Sequence, residues 1–130
     1  MEDSAFSDEF CRFIQTTVPS VGAAEVLLNL LRQPGRPWSA AEATREQPRD
    51  AIVSEDDARK WLELFAARGV VAQTPDGRFR YGPASADVDA LVRILERAYN
   101  ERPVTLIQMI YALRDAKIRS FADAFKFRKS

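Results

Sequence analysis

Apolar residues recur at helical spacing along most of the chain. In "FSDEFCRFIQTTV" they predict a first helix capped by Ser4 or Ser7, and in "AAEVLLNLLRQ" a wide leucine stripe predicts a second, largely buried helix. Ser39 and Glu42 have the S-x-x-E spacing of a capping box, which predicts the start of a short third helix that ends before Pro48. The pattern therefore begins with three helices.

The segment "SEDDARKWLELFAARGVVAQTPDGRFRY" changes from helical to alternating periodicity. Ser54 predicts the cap of a fourth helix, and Gly69 predicts its end. Residues 70–74 and 78–82 flank the turn sequence Pro-Asp-Gly and predict a β-hairpin. The fourth helix is expected to bury one face, formed by Ala58, Trp61, Leu62 and Phe65.

The last third of the chain returns to helical spacing. Ser85 predicts the cap of a long helix, and Pro103 is expected to kink or restart it. A final short helix is predicted around Phe121 and Phe125. The 130 residues fit one domain, 1–130, with a helical extension over residues 85–130.

The order of three helices and a hairpin over residues 20–84 resembles the winged helix-turn-helix domain of small bacterial transcriptional regulators. The most specific piece is "ARKWLELFAARGVVAQTPDGRFRY", where a helix ends in "RGVV" and a glycine turn leads back into alternating residues. The ends "ERPVTLIQMIY" and "SFADAFKFRK" also resemble a group of short bacterial winged-helix proteins. The resemblance implies a mainly α (α+β) fold, a winged helix-turn-helix with a two-stranded wing and extra N- and C-terminal helices.

One segment departs from that family. Residues 47–53, "QPRDAIV", are longer than the tight turn usual between the second and third helices of such domains. The angle between these helices, and with it the pose of the domain in a DNA groove, is therefore left open.

Composition narrows the function classes. Nineteen basic and nineteen acidic residues cancel, and the chain has no histidine and a single cysteine, Cys11. Without histidine, the usual zinc sites and the Ser-His or Cys-His triads are excluded, and no phosphate-binding or nucleophile-elbow motif occurs. We expect no enzyme activity, no cofactor, no metal, no membrane partner and a reducing, cytoplasmic location.

Two pairs of basic residues are the DNA-binding candidates. Arg59 and Lys60 lie in the fourth helix, which the resemblance places at a major groove. Strand alternation puts Arg78 and Arg80 on one face of the hairpin, where they could reach phosphates or a minor groove. The leading hypothesis is a transcriptional regulator that binds double-stranded DNA.

Acidic residues at the start of the same helix support a rival hypothesis. Residues 54–63 contain four acids and two bases, a net charge of −2, which opposes phosphate binding. Glu55, Asp56 and Asp57 could stabilise the helix dipole, accept from cytosine, or dock a basic protein. The alternative is therefore a non-enzymatic protein-interaction module.

The two ends of the chain carry opposite charge. Residues 1–10 hold four acids and no base, whereas residues 114–130 hold six bases and two acids. This attraction suits closure within one chain or a homodimer with two-fold symmetry. The apolar face of the terminal helices could cover the core or form the dimer interface, and its candidates are Phe6, Phe10, Phe13, Ile107, Ile110, Phe121 and Phe125.

Overall fold

A computed structural model describes residues 6–46 and 53–114. These residues are mainly helical, with one small antiparallel sheet, and thus have the predicted mainly α (α+β) composition. The elements are α1 (Asp8–Thr17), α2 (Val21–Arg32), α3 (Ala40–Arg45), α4 (Glu55–Ala67), β1 (Val71–Gln73), β2 (Phe79–Tyr81), α5 (Ala86–Glu101) and a further helix over residues 103–114.

Serine side chains set the start of five helices. In each case the hydroxyl oxygen accepts a hydrogen bond from the backbone N–H three residues later, which satisfies one donor of the first turn. The caps are Ser7, Ser20, Ser39, Ser54 and Ser85. The predicted capping box is confirmed, since the Glu42 carboxylate also accepts from the Ser39 N–H at 2.8 Å. The second helix begins at Val21, two residues earlier than its apolar run suggested.

The hairpin is confirmed, in a shorter form than predicted. Ala72 pairs with Arg80 at its centre, and Gly77 in the turn has a φ of +86°, which only glycine adopts without strain. On the edge of β2 opposite β1, Trp38 exchanges two backbone hydrogen bonds with Phe79, of 2.7 and 2.8 Å. The loop "PGRPW" therefore adds a third antiparallel segment to the sheet, which the sequence pattern did not predict.

One apolar core lies between the helices and the inner face of the sheet. Leu62 and Phe65 of α4 are fully buried in it, as predicted, and so is Trp38. Trp61 is only half-buried and covers the start of α2, where a Cβ added to Gly22 would lie 2.9 Å from the Trp61 Cη2 atom. This contact fixes how closely α4 approaches α2.

Pro103 restarts the chain as a new helix, as predicted. Residues 103–114 return to the core through Leu106 and Ile110, which are both buried. The Cys11 Sγ atom lies 3.8 Å from the Met109 Sδ atom, so this helix packs beside α1. The predicted final helix with Phe121 and Phe125 lies outside the described residues, as does most of the segment 47–53. In residues 6–46 and 53–114, no helix has the length and apolar character needed to cross a membrane.

Candidate functional site

An open groove runs between α4, the start of α3 and the hairpin. Its volume is about 240 Å³. From α4 it is lined by Glu55, Arg59 and Glu63, which follow one another at intervals of one helical turn. Gln73 and Gly77 line it from the hairpin. The groove therefore brings the predicted helix and the predicted hairpin to one surface.

The Arg59 guanidinium is held by two carboxylates of the preceding turn. Its Nη2 atom lies 3.1 Å from Glu55 Oε2, and its Nη1 atom lies 3.3 Å from Asp56 Oδ1. All three side chains are about half exposed or more. Solvent-exposed ion pairs of this kind contribute about 0–1 kcal/mol, so Arg59 can exchange these partners at small cost.

The remaining charged residues of α4 point to solvent. Lys60, Asp57 and Glu63 are exposed, and within the described residues none of them forms an ion pair. Asp57 donates its backbone N–H to the Ser54 hydroxyl, at 3.0 Å, and its carboxylate stays in the first turn near the positive end of the helix dipole. The outer face of α4 is thus charged over residues 55–63 and net negative.

The hairpin presents its arginines to solvent, as strand alternation predicted. Phe79 and Tyr81 are 4% and 6% exposed and pack on the core, whereas Arg78 and Arg80 are exposed. Arg80 has no ion-pair partner in residues 6–46 and 53–114. Arg78 is partly engaged, because its Nε atom lies 3.4 Å from Asp76 Oδ2.

The carboxyl of Asp76 is stabilised in its charged form. A hydrogen bond from the Thr74 hydroxyl is the main cause that lowers its pKa, and the charge of Arg78 adds to it. Arg78 also helps to lower the pKa of Glu42, for which the hydrogen bond from the Ser39 N–H is the larger cause. The Arg78 guanidinium therefore lies close to the start of α3.

A second polar cluster joins the loop before α3 to the end of α3. The Arg36 guanidinium stacks on the Trp38 ring, 3.7 Å from its centroid, and binds both carboxylate oxygens of Glu46 at 2.7 and 3.2 Å. The two carboxylate contacts raise the pKa of Arg36 and lower that of Glu46. Sequence reasoning missed this cluster, although the R-x-W spacing placed the cation beside the ring. It packs on the ring of Trp38, the residue whose backbone pairs with Phe79.

Three of the five dimer-interface candidates in the described residues lie inside the molecule. Phe10, Phe13 and Ile110 are buried in the chain's own core. Of the two alternatives for this apolar face, these three residues therefore cover the core. Phe6 is half-buried, with its ring centroid 5.2 Å from that of Phe10, and Ile107 is also half-buried. A dimer interface through these residues stays a prediction.

Comparison with known proteins adds no family to this description. Neither the protein-family models, nor the curated proteins, nor the solved structures gave a match to the chain. In the part of the chain that the structure describes, no group of three or more potential metal ligands occurs. The assignment of function therefore depends on the geometry of the groove and the hairpin.

Proposed function

We propose that this protein is a winged-helix regulator of transcription that binds double-stranded DNA in the bacterial cytoplasm. The order of α2, the Trp38 segment, α3, α4 and the hairpin supports it. In this reading α4 is the recognition helix and residues 71–81 are the wing. The observation that carries the proposal is the exposed pair Arg78 and Arg80 on a hairpin whose residues Gln73 and Gly77 share one groove with the exposed face of α4. A major groove can admit such a helix.

The two elements take different roles on the duplex. Arg80, without a carboxylate partner in the described residues, and Arg78 contact phosphates or the minor groove and fix the register of the protein. Arg59 and Lys60 lie at the major groove. Phosphate contacts supply most of the affinity, and base contacts supply the specificity.

The salt dependence of binding tests the role of the wing. Binding to labelled duplexes pooled from bacterial genomic DNA is titrated at about 50 and 200 mM salt, with the natural chain and with Arg78→Ala combined with Arg80→Ala. Each phosphate contact contributes about 0.9 to the slope of log affinity against log salt, so the double variant loses about 1.8 and binds all sequences less tightly.

A matched double variant controls for net charge. Arg12→Ala with Arg97→Ala removes the same charge from exposed positions of α1 and α5, outside the groove and the wing. We expect its salt slope to equal that of the natural chain. An unchanged slope in the wing variant would overturn the assignment, and absence of DNA binding at about 50 mM salt would overturn the proposed function.

A protein-docking function is the second candidate, and the state of Arg59 favours it. Since Glu55 and Asp56 already hold this arginine, the groove edge of α4 presents Glu63 as a carboxylate without an ion-pair partner in the described residues. Such a surface attracts a basic protein segment. Reversal of charge at Glu55 and Asp56 separates the two functions, since it strengthens DNA binding and abolishes binding of a basic partner.

The regulator proposal includes a homodimer formed by the terminal helices. Val104 and Tyr111 are large apolar residues that remain 66% and 50% exposed, and they lie two turns apart on the helix over residues 103–114. Ile107 falls between them on the same face. Sedimentation equilibrium at micromolar concentration would give twice the chain mass for a dimer and the single mass for a monomer.

A further inference from the structure

Every exposed side chain in the first two and a half turns of α4 is charged. Over residues 55–63, the other three positions face inward, with Ala58 and Leu62 buried and Trp61 half-buried. No amide, hydroxyl or exposed apolar side chain occurs in this stretch. The exposed residues are Glu55, Asp56, Asp57, Arg59, Lys60 and Glu63.

These residue types match only two of the four bases in a major groove. Arginine and lysine donate to the N7 and O6 atoms of guanine, and glutamate and aspartate accept from the N4 amino group of cytosine. Adenine is read by the amide of asparagine or glutamine, and the thymine methyl group is read by apolar contacts. Over residues 55–63, the exposed face of α4 therefore carries partners for G·C pairs and none of the usual partners for A·T pairs.

Arg59 and Glu63 are the two groups placed to make such contacts. Glu55 and Asp56 occupy one N–H on each terminal nitrogen of Arg59, which leaves three of its five donors for a base. Glu63 lines the same groove, and among residues 6–46 and 53–114 its carboxylate has no ion pair. The two positions are four residues apart, which is about 6 Å along the helix and within two base-pair steps of a duplex.

We propose that α4 reads a short G·C sequence, with Arg59 donating to a guanine and Glu63 accepting from the N4 amino group of a cytosine within two base-pair steps of it. Glu55 acts as a positioning residue, because it holds the guanidinium from the preceding turn. The inference rests on the proposed DNA binding and adds its base specificity.

Selection from a pool of duplexes with a randomised centre tests the inference. The full chain should enrich G·C pairs at two positions within two base-pair steps. Glu63→Gln gives a side chain that both donates and accepts, so the cytosine should be replaced by adenine at one position, with a change in preference of about tenfold or more. Arg59→Gln should remove the guanine preference at the other position. Glu101→Gln removes the same charge from an exposed site on α5 and should leave the enriched sequence unchanged.

The outcomes separate the inference from the function on which it rests. The inference is supported if the natural chain enriches G·C pairs, Glu63→Gln changes the preference at one position and Arg59→Gln changes it at the other. Enrichment of A·T pairs, or a G·C preference that neither variant alters, overturns the reading while DNA binding stands. Failure to retain any duplex at about 50 mM salt overturns both.

Discussion

Reversing the charge at the start of α4 gives opposite results for the two candidate functions. Residues 54–63 of the natural chain carry four acids and two bases, a net charge of −2. Glu55→Lys combined with Asp56→Lys leaves two acids and four bases, a net charge of +2. The change of four charges lies beside Arg59, which loses both of its carboxylate partners.

The size of the expected effect follows from these contacts. If both lysines reach phosphates, the salt slope steepens by about 1.8, so the fall in affinity between about 50 and 200 mM salt becomes about tenfold larger. Stability should drop by roughly 1–3 kcal/mol, because two favourable charge–dipole interactions change sign and two exposed ion pairs are lost. A domain of this length has roughly 7–20 kcal/mol of stability, so the variant stays folded.

Two assays measure the effect, with a neutral variant as control. Fluorescence anisotropy with labelled duplex DNA gives the affinity at each salt concentration, and urea unfolding gives the free energy of unfolding. Glu55→Gln combined with Asp56→Asn removes the two negative charges without adding positive ones and should fall between the natural chain and the reversed variant. Equal or weaker DNA binding by the folded, reversed variant would refute the electrostatic reasoning.

Two further predictions concern the link between α4 and the hairpin and the contact between α5 and α2. Gly69→Ala should lower the free energy of urea unfolding by about 1–2 kcal/mol, because Gly69 has a φ of +76° and an added Cβ would lie 3.2 Å from the Ala84 Cβ. Gly35→Ala is the control and should lower it much less, because a Cβ added to Gly35 has no neighbour within 4 Å. Burial, followed by the hydrogen bond to Glu25, raises the pKa of Tyr99 from its ordinary value of 10 to about 12. The stability that the protonated Tyr99 hydroxyl contributes is therefore complete below pH 10 and is lost as the pH rises to 12. Tyr99→Phe should therefore show a shallower loss of unfolding free energy between these pH values, and an equal slope in both chains would contradict this.

Local patterns were sufficient to predict most elements of this fold. The caps at Ser7, Ser39, Ser54 and Ser85, the capping box and the glycine turn depend on residues within one or two turns of each other, and the structure has them where the pattern indicates. The Ser20 cap was not predicted, and Trp61 of the predicted buried stripe is only half-buried. The bridge between Trp38 and Phe79 joins residues far apart in the chain through backbone atoms alone. A single paired residue leaves no periodicity in the sequence, so no pattern could have revealed it.

The residues of the candidate site were predicted from the sequence, but the ion pairs between them were not. Hydrophobic periodicity and strand alternation placed Arg59, Arg78 and Arg80 on exposed faces, which the structure has. The spacing of Glu55 and Arg59 at i and i+4 was a signal for their ion pair, but whether such a pair forms depends on rotamers that neighbouring elements select. The bond from Tyr99 to Glu25 joins α5 to α2 and has no local signal.

The internal pairing of charge predicts a particular kind of DNA binder. Arg78 must exchange the Asp76 carboxylate for a phosphate, while Glu63 and Asp57 repel phosphates wherever no cytosine compensates them. Random sequences should therefore bind weakly, because the lost ion pair and the repulsion are not offset by base contacts. A matched site returns charge-assisted hydrogen bonds to both signs of side chain. We expect the ratio of specific to non-specific affinity to fall in Glu63→Lys because non-specific binding rises; competition titration with random duplex measures it, and an unchanged ratio would show that Glu63 takes no part in discrimination.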